Sequence, residues 1–426
     1  MSSYLIMGGR VIDPASGFDA VTNVLIEDGK VKTLGSASPR GYQVIDARGK
    51  VVAPGLIDMH THLREPGKED EETIASGAAA AVAGGFASVA SMPNTDPPID
   101  NEAMVEFIYL QAKRCGKANV FAIAAATKGR KGEELSEIGQ LVRGGAVAFS
   151  DDGNSIANAD VMRRVLQYAG MFDKAVISHC EDRNLSRDGV MNEGYMSTVL
   201  GLPGMPAIAE ETMVHRDIML AAATGSKVHI AHVSTAVSVE LVRRAKEKGI
   251  RVTTEATPHH LVLDETALRT FDPNFKMSPP LRTKKDVEAL RRGLTDGTID
   301  AIASDHAPHS SEEKDVEFSA APFGVIGLET TLPIVLTELV GKNVLSLNEA
   351  VARLTLNPAR ILGIPRGTLS AGAVADVTVI DLDKEIEIDP SRFISKSRNC
   401  PFAGRKLRGC ATVVLVGGRI VSGGNG

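Results

Sequence analysis

Two histidines separated by a single residue, His60 and His62, close the apolar run Gly55-Leu56-Ile57-Asp58-Met59. At the end of an extended strand, side chains two positions apart project to the same side, so the pair can grip one cation; two partly exposed loop histidines are the plainer reading. Further strong ligands follow comparable apolar runs: Asp152 after 146–149, His179 after 175–178, His232 after 228–231 and Asp305 after 301–304. Imidazoles and carboxylates gathered in one place are costly unless cations or mutual hydrogen bonds satisfy them. Six ligands exceed the need of one tetrahedral ion and suit two ions sharing a carboxylate. The expected division gives His60, His62 and Asp305 to one ion, His179 and His232 to the other, and Asp152 to both, with Asp151 competing for the bridge. Two ions about 3.5–4 Å apart can activate water and polarise a carbonyl. Of the other histidines, His229 reads as packed behind the ligands, His215 as a helix-surface group, and His259 and His260 as hydrogen-bonding partners of the ligands.

The elements that must position these residues alternate short apolar runs with amphipathic stretches, the pattern of βα units. Eight candidate strands end near His60, Asn94, Thr127, Asp152, His179, His232, Glu255 to His260, and Asp305, with helices expected over segments such as 73–83, 161–169, 210–223 and 237–247. A polar residue at the C-terminal end of nearly every strand matches the face on which barrel enzymes keep their active sites, so a (β/α)8 TIM barrel is expected. A doubly wound sheet would call for a glycine-rich phosphate turn after its first strand, and Asp58-Met59-His60-Thr61-His62 is not one.

The first fifty residues read instead as short strands (4–7, 21–27, 30–34) separated by turns at Gly8-Gly9 and Asp28-Gly29, and the last sixty repeat that style at 375–380 and 412–416. We therefore expect residues 1–53 plus 365–426 to form a small β-sandwich module, and residues 54–364 the catalytic barrel.

Composition narrows the partners. Net charge is −6 over 426 residues with the two signs interspersed, so nothing resembles the basic patch that a phosphate backbone demands, and a small-molecule substrate is expected rather than nucleic acid. Four scattered cysteines without a Cys-x-x-Cys point to a reducing cytoplasm rather than a disulfide framework. Residues 1–10 carry no basic-then-apolar signal pattern, and no apolar run approaches the roughly 20 residues that span a bilayer, so no membrane association is expected.

The segments carrying these ligands are specific. They are Asp58-Met59-His60-Thr61-His62-Leu63-Arg64-Glu65-Pro66-Gly67, Met92-Pro93-Asn94-Thr95, Phe149-Ser150-Asp151-Asp152-Gly153, Thr254-Glu255-Ala256-Thr257-Pro258-His259-His260-Leu261, Ser304-Asp305-His306-Ala307-Pro308-His309 and Phe323-Gly324-Val325-Ile326-Gly327-Leu328-Glu329. In these, over nearly its whole length, the chain resembles the amidohydrolase superfamily and within it the dihydroorotases. The resemblance implies a zinc-dependent hydrolase acting on C–N bonds of cyclic amides, which reversibly cyclises N-carbamoyl-L-aspartate to (S)-dihydroorotate in pyrimidine biosynthesis. It implies Zn2+, two per subunit or one, and Asp305 as the catalytic proton carrier. Arg64 with Asn94 would clamp the ring carboxylate and His309 would join them; His62, Leu63 and Ser278 would also contact substrate, and Phe323 and Gly324 would do so through backbone groups. A homodimer and an aspartate transcarbamoylase partner are associations the resemblance allows.

Two departures stand out. Many relatives bridge their metals with a carboxylated lysine at the fourth strand, whereas this chain offers Asp151-Asp152, and Ser278 stands where related enzymes often carry Asn. The alternatives are a hydantoinase or allantoinase, and a non-catalytic scaffold for aspartate transcarbamoylase. Residues 310–318, polar and just past the eighth strand, are expected to be a lid or an ordinary surface loop.

Overall fold

A computed structural model describes residues 3–35 and 37–423. Among these described residues, eighteen strands fall into three sheets. Five belong to the N-terminal region: β1 (Tyr4–Asp13), β2 (Phe18–Glu27), β3 (Lys30–Leu34), β4 (Gln43–Asp46) and β5 (Val51–Pro54). Eight short strands then make a parallel sheet: β6 (Leu56–Thr61), β7 (Phe86–Ser91), β8 (Asn119–Ala125), β9 (Ala148–Ser150), β10 (Val176–Ser178), β13 (Val228–Ile230), β14 (Val252–Ala256) and β15 (Ala301–Ile302). A two-stranded sheet, β11 (Met191–Asn192) with β12 (Gly204–Met205), interrupts them, and β16 (Val377–Glu387), β17 (Lys406–Val416) and β18 (Arg419–Ser422) end the chain.

The eight parallel strands pair in sequence order, and the first and last meet where His62 N–H donates to the His306 carbonyl at 2.8 Å. The ring is thus a (β/α)8 barrel. Every residue of β6 and β7 is buried, as parallel strands covered on both sides require. Phe86, Val89, Val120, Val176 and Val228 pack with helix residues such as Ala78, Ile108, Val165 and Val239 in one core cluster. Small side chains, Ala90, Ala148, Ala231, Ala301 and Ala303, share a second cluster with Ile57, Met59, Ile123 and Ile177.

The helices expected from periodicity form within two residues of their limits, at Ile74–Ala83, Ala159–Gly170, Ile208–Thr224 and Ala236–Glu247. Three start on the side-chain caps Thr73, Asn158 and Thr235, whose oxygens accept from backbone N–H groups of the first turn. Among the described residues, no helix is long and apolar enough to cross a membrane.

The other large sheet has the order β18-β17-β16-β5-β1-β2-β3, with β4 alongside β1, so segments from both ends of the chain share it. One local expectation is corrected. Gly8-Gly9 does not end a strand: β1 runs through it, and its register with β2 shifts between Ile6 and Gly9. Gly8 takes the left-handed φ of 72° that such a bulge uses, and a side chain at Gly9 would meet Val52 Cγ2 at 2.6 Å.

Gly55 alone separates β5 of this sheet from β6 of the barrel, and there a Cβ would lie 2.4 Å from that of Ala87. The connection from β16 to β17 leaves the sheet and reaches the barrel's mouth, where Asn399 Nδ2 donates to the carbonyls of Ala307 (2.9 Å) and Gly324 (3.1 Å). Cys400 and Phe402 pack there with Phe318 and Val325.

Candidate metal centre

The strand ends converge on Asp152. Its Oδ1 lies 3.6 Å from His60 Nε2, 3.6 Å from His179 Nδ1 and 3.7 Å from His232 Nε2, and its Oδ2 lies 3.6 Å from His62 Nε2. Asp305 Oδ1 stands 3.5 Å from His60 Nε2 and 3.0 Å from His62 Nε2, while His179 Nδ1 and His232 Nε2 are 2.9 Å apart. All six side chains are buried. His232 (φ 30°) and Asp305 (φ 48°) occupy left-handed backbone that non-glycine residues rarely adopt, a strain typical of functional sites.

Three of the four imidazoles are aimed by a partner on the outer nitrogen. His60 Nδ1 meets Glu255 Oε1 at 2.5 Å, His62 Nδ1 meets Asn94 Oδ1 at 2.8 Å, and His179 Nε2 meets Glu181 Oε2 at 3.1 Å. The inner nitrogens are left facing the carboxylates, and His60 Nε2 and Asp152 Oδ1, both fully buried, have no hydrogen-bond partner among the described residues. Leaving two such atoms unpaired is expensive in a protein interior. Around a tetrahedral ion with bonds of about 2.0–2.1 Å, ligand atoms sit about 3.3 Å apart, so the 3.0–3.7 Å spacings suit divalent cations. Two overlapping triads, His60/His62/Asp305 and His60/Asp152/His232, each bring three ligand atoms within 4.8 Å of one another.

Electrostatics agree with a cation site. Burial pushes the Asp152 and Asp305 carboxyls up, but the His60 charge and contacts with the neighbouring imidazoles pull both well below the usual carboxylate range. Glu255 behaves likewise: burial raises it, while His60 and His229 bring it down to about 2.

Asp151, the competing bridge, is engaged elsewhere. Its carboxylate accepts from the Thr127 backbone N–H (3.0 Å) and from the Thr127 hydroxyl, fastening the loop after β8. His229 is buried within β13, with Nδ1 at 2.8 Å from Thr253 Oγ1 and Nε2 at 3.3 Å from Glu255, and His215 is exposed on its helix. His260 bonds Thr257 and the Pro279 carbonyl rather than a ligand.

A cavity of about 560 Å³ opens beside the cluster. It is lined by His62, Asp152, His179, His232 and Asp305 and by the expected substrate contacts Arg64, Asn94, Ser278, His309, Phe323 and Gly324. Leu63 is not among these: its side chain is fully buried in the strand–helix core. Arg64, only 8 % exposed, donates from Nε to the Pro308 carbonyl at 3.0 Å, and its Nη2 lies 3.4 Å from His309 Nε2. Ser278 Oγ is 3.4 Å from Glu181 Oε2.

Sequence reasoning missed Glu181, Arg183 and Arg187 on the cavity wall, and Glu255 behind His60. Glu255 and Glu181 lie within or beside the motifs already singled out, so a search for carboxylates near strand ends would have found both. Residues 310–318 are largely at the surface but anchored: Ser311–Lys314 is one helical turn, Phe318 is buried, and Lys314 Nζ donates to the carbonyls of Pro273 (3.1 Å) and Pro322 (2.8 Å).

The barrel and its His/Asp cluster define a class, and comparison with known proteins agrees: residues 209–422 match the Amidohydrolase family and residues 49–238 the Dihydro-orotase-like family. Among solved structures, the L-hydantoinase (dihydropyrimidinase) of Arthrobacter aurescens superposes with a TM-score of 0.87 at 25% identity, covering 99% of this chain and 96% of that one. The dihydropyrimidinase of Brevibacillus agri gives 0.85 at 25%, covering 99% and 95%.

Full-length relatives resolve the class further. The chain is 58% identical to the dihydroorotase of Pelotomaculum thermopropionicum over 98% of both chains, and 50% identical to that of Acetivibrio thermocellus over 98% of both. The chain belongs to the dihydroorotase family.

Proposed function

We propose that this enzyme interconverts N-carbamoyl-L-aspartate and (S)-dihydroorotate in pyrimidine biosynthesis. The observation that carries the reading is a single cavity holding both chemistries: a His/Asp cluster able to bind divalent ions, and beside it Arg64, Asn94 and His309, suited to a ring carboxylate. The 50–58% identity to dihydroorotases, against 25% to the hydantoinase, supports an acidic pyrimidine over a neutral ring.

His60, His62 and Asp305 would hold one zinc ion, His179 and His232 a second, with Asp152 shared between them. Bound there, the ions supply Lewis acidity to the amide carbonyl and lower the pKa of water. Asp305, ionised at neutral pH, accepts the proton of the attacking water in the hydrolytic direction. The oxygen adds to the ring carbonyl carbon C4, the C4–N3 bond breaks, and Asp305 returns the proton to N3; cyclisation is the reverse. Arg64, Asn94 and His309 orient the ring carboxylate, so that C4 faces the cluster and not bulk water. Every one of these groups comes from one chain. The cytoplasm is the compartment in which this reading sets the enzyme.

The test is a side-by-side assay of zinc-loaded protein with dihydroorotate, hydantoin and allantoin. Turnover of dihydroorotate at least about a hundredfold above the others supports the reading; preference for hydantoin transfers the chain to the hydantoinase reaction, and no turnover with a metal-free barrel mouth would make it a scaffold.

A further inference from the structure

Arg64 and His309 are held from behind by two carboxylates that no step above uses. Glu71, 1% exposed, sets the charge of Oε2 2.8 Å from Arg64 Nε, whose N–H is donated to the Pro308 carbonyl, and pairs through Oε1 with Lys68 at 2.5 Å. Glu313 places Oε2 at 3.1 Å from His309 Nδ1, and Glu71 Oε2 lies 3.8 Å from the same nitrogen. The other ring nitrogen, Nε2, is 2.8 Å from the Phe323 carbonyl. Glu71, Arg64, His309 and Glu313 therefore form one connected unit, of which only Arg64 and His309 line the cavity.

A guanidinium and an imidazole recognise a carboxylate only when their N–H groups point in fixed directions, and a side chain that must be ordered during binding weakens that binding. An ionised carboxylate is acceptor-only, so a His309 ring protonated on Nδ1 donates to Glu313, and that contact stops the ring from flipping. The turn carrying Glu313 is itself fixed by the buried Lys314. We propose that Glu313 is a positioning residue of the carboxylate clamp, presetting the His309 ring. The inference rests on the clamp reading given above.

A rival role is visible in the same geometry. Glu313 also forms a capping box with Ser310, accepting from its backbone N–H while Ser310 Oγ accepts from that of Glu313. Steady-state kinetics with dihydroorotate, run with metal content and thermal melts on the zinc-loaded enzyme, separate the two. Arg64→Met and His309→Ala should each raise KM about tenfold or more. Glu313→Ala should raise KM about tenfold while kcat falls less than about threefold, with metal content and melting temperature retained. Glu313→Gln, whose amide oxygen still accepts from Nδ1–H, should return KM to within about threefold of the parent. Ser310→Ala, which breaks the box but leaves the His309 contact, should change KM by less than about twofold. A Glu313→Ala KM near the parent value, with Arg64→Met and His309→Ala impaired, overturns the inference and spares the clamp. A Ser310→Ala effect as large as that of Glu313→Ala reduces Glu313 to a helix cap and also overturns it. Unchanged KM in Arg64→Met and His309→Ala removes the clamp and the inference together.

Discussion

Glu255 shows how one residue can decide whether a ligand is usable. An imidazole binds a metal through a lone pair, and the nitrogen that keeps it is set by what the other nitrogen does. When His60 Nδ1–H donates to Glu255 Oε1 at 2.5 Å in the neutral ring that binds metal, the His60 lone pair sits on Nε2, facing Asp152 and Asp305. Glu255→Ala should therefore weaken zinc affinity about 10–100-fold, read by competition with a chelator; parent-like affinity would show that the ring needs no such partner. Asp305 is a different case, because it is asked both to hold an ion and to move a proton. Asp305→Asn keeps an oxygen ligand but loses the base, so zinc should remain in good part while kcat falls about 10²–10⁴-fold; near-parent turnover would take Asp305 out of the mechanism. Asn94, expected only to touch substrate, is also the partner of His62 Nδ1, so its substitution should disturb metal content as well as KM.

At the scale of elements, the turn Ser311–Lys314 carries a buried ammonium with carbonyl partners. Burial, with nearby Lys276, lowers the Lys314 pKa from 10.5 to about 7. Between these values the unfolded chain binds more protons than the folded one, so stability contributed by this group rises with pH across that window and is lost as pH falls toward 7. Thermal melts from pH 7 to about 10 should show that rise in the parent and a flatter profile in Lys314→Met; identical slopes would mean Lys314 stays charged in the fold.

The elements most legible in the sequence were the barrel strands. Burial on both faces leaves unbroken apolar runs such as Leu56-Ile57, and the ligands that end them mark the catalytic face. The helices were legible in their amphipathic periodicity, while the caps Thr73, Asn158 and Thr235 set where three of them start. Gly8-Gly9 was misread because a bulge and a turn call for the same residues. Glu255 was legible as a carboxylate at a strand end, but its pairing with His60 was not, because the two lie 195 positions apart. The reach of Asn399 into the barrel mouth was hidden for the same reason, since its partners Ala307 and Gly324 lie 92 and 75 positions off.

For the whole molecule, metal and fold should be linked thermodynamically. The donors converge from β6, β9, β10, β13 and β15, so an ion bound among them is bound only by the closed ring. Zinc at about 100 times its dissociation constant should stabilise the chain by about 2.7 kcal/mol, and stripping it with a chelator should lower the melting temperature; an unchanged melt would argue that no ion binds the native ring preferentially. Order of synthesis matters as well. The carbonyls of Ala307 and Gly324, flanking His309 and Phe323, are clasped by Asn399 from a segment that leaves the ribosome 92 and 75 residues later. A nascent chain can therefore wind all eight barrel strands and still lack the clasp on its substrate entrance until Asn399 has been made.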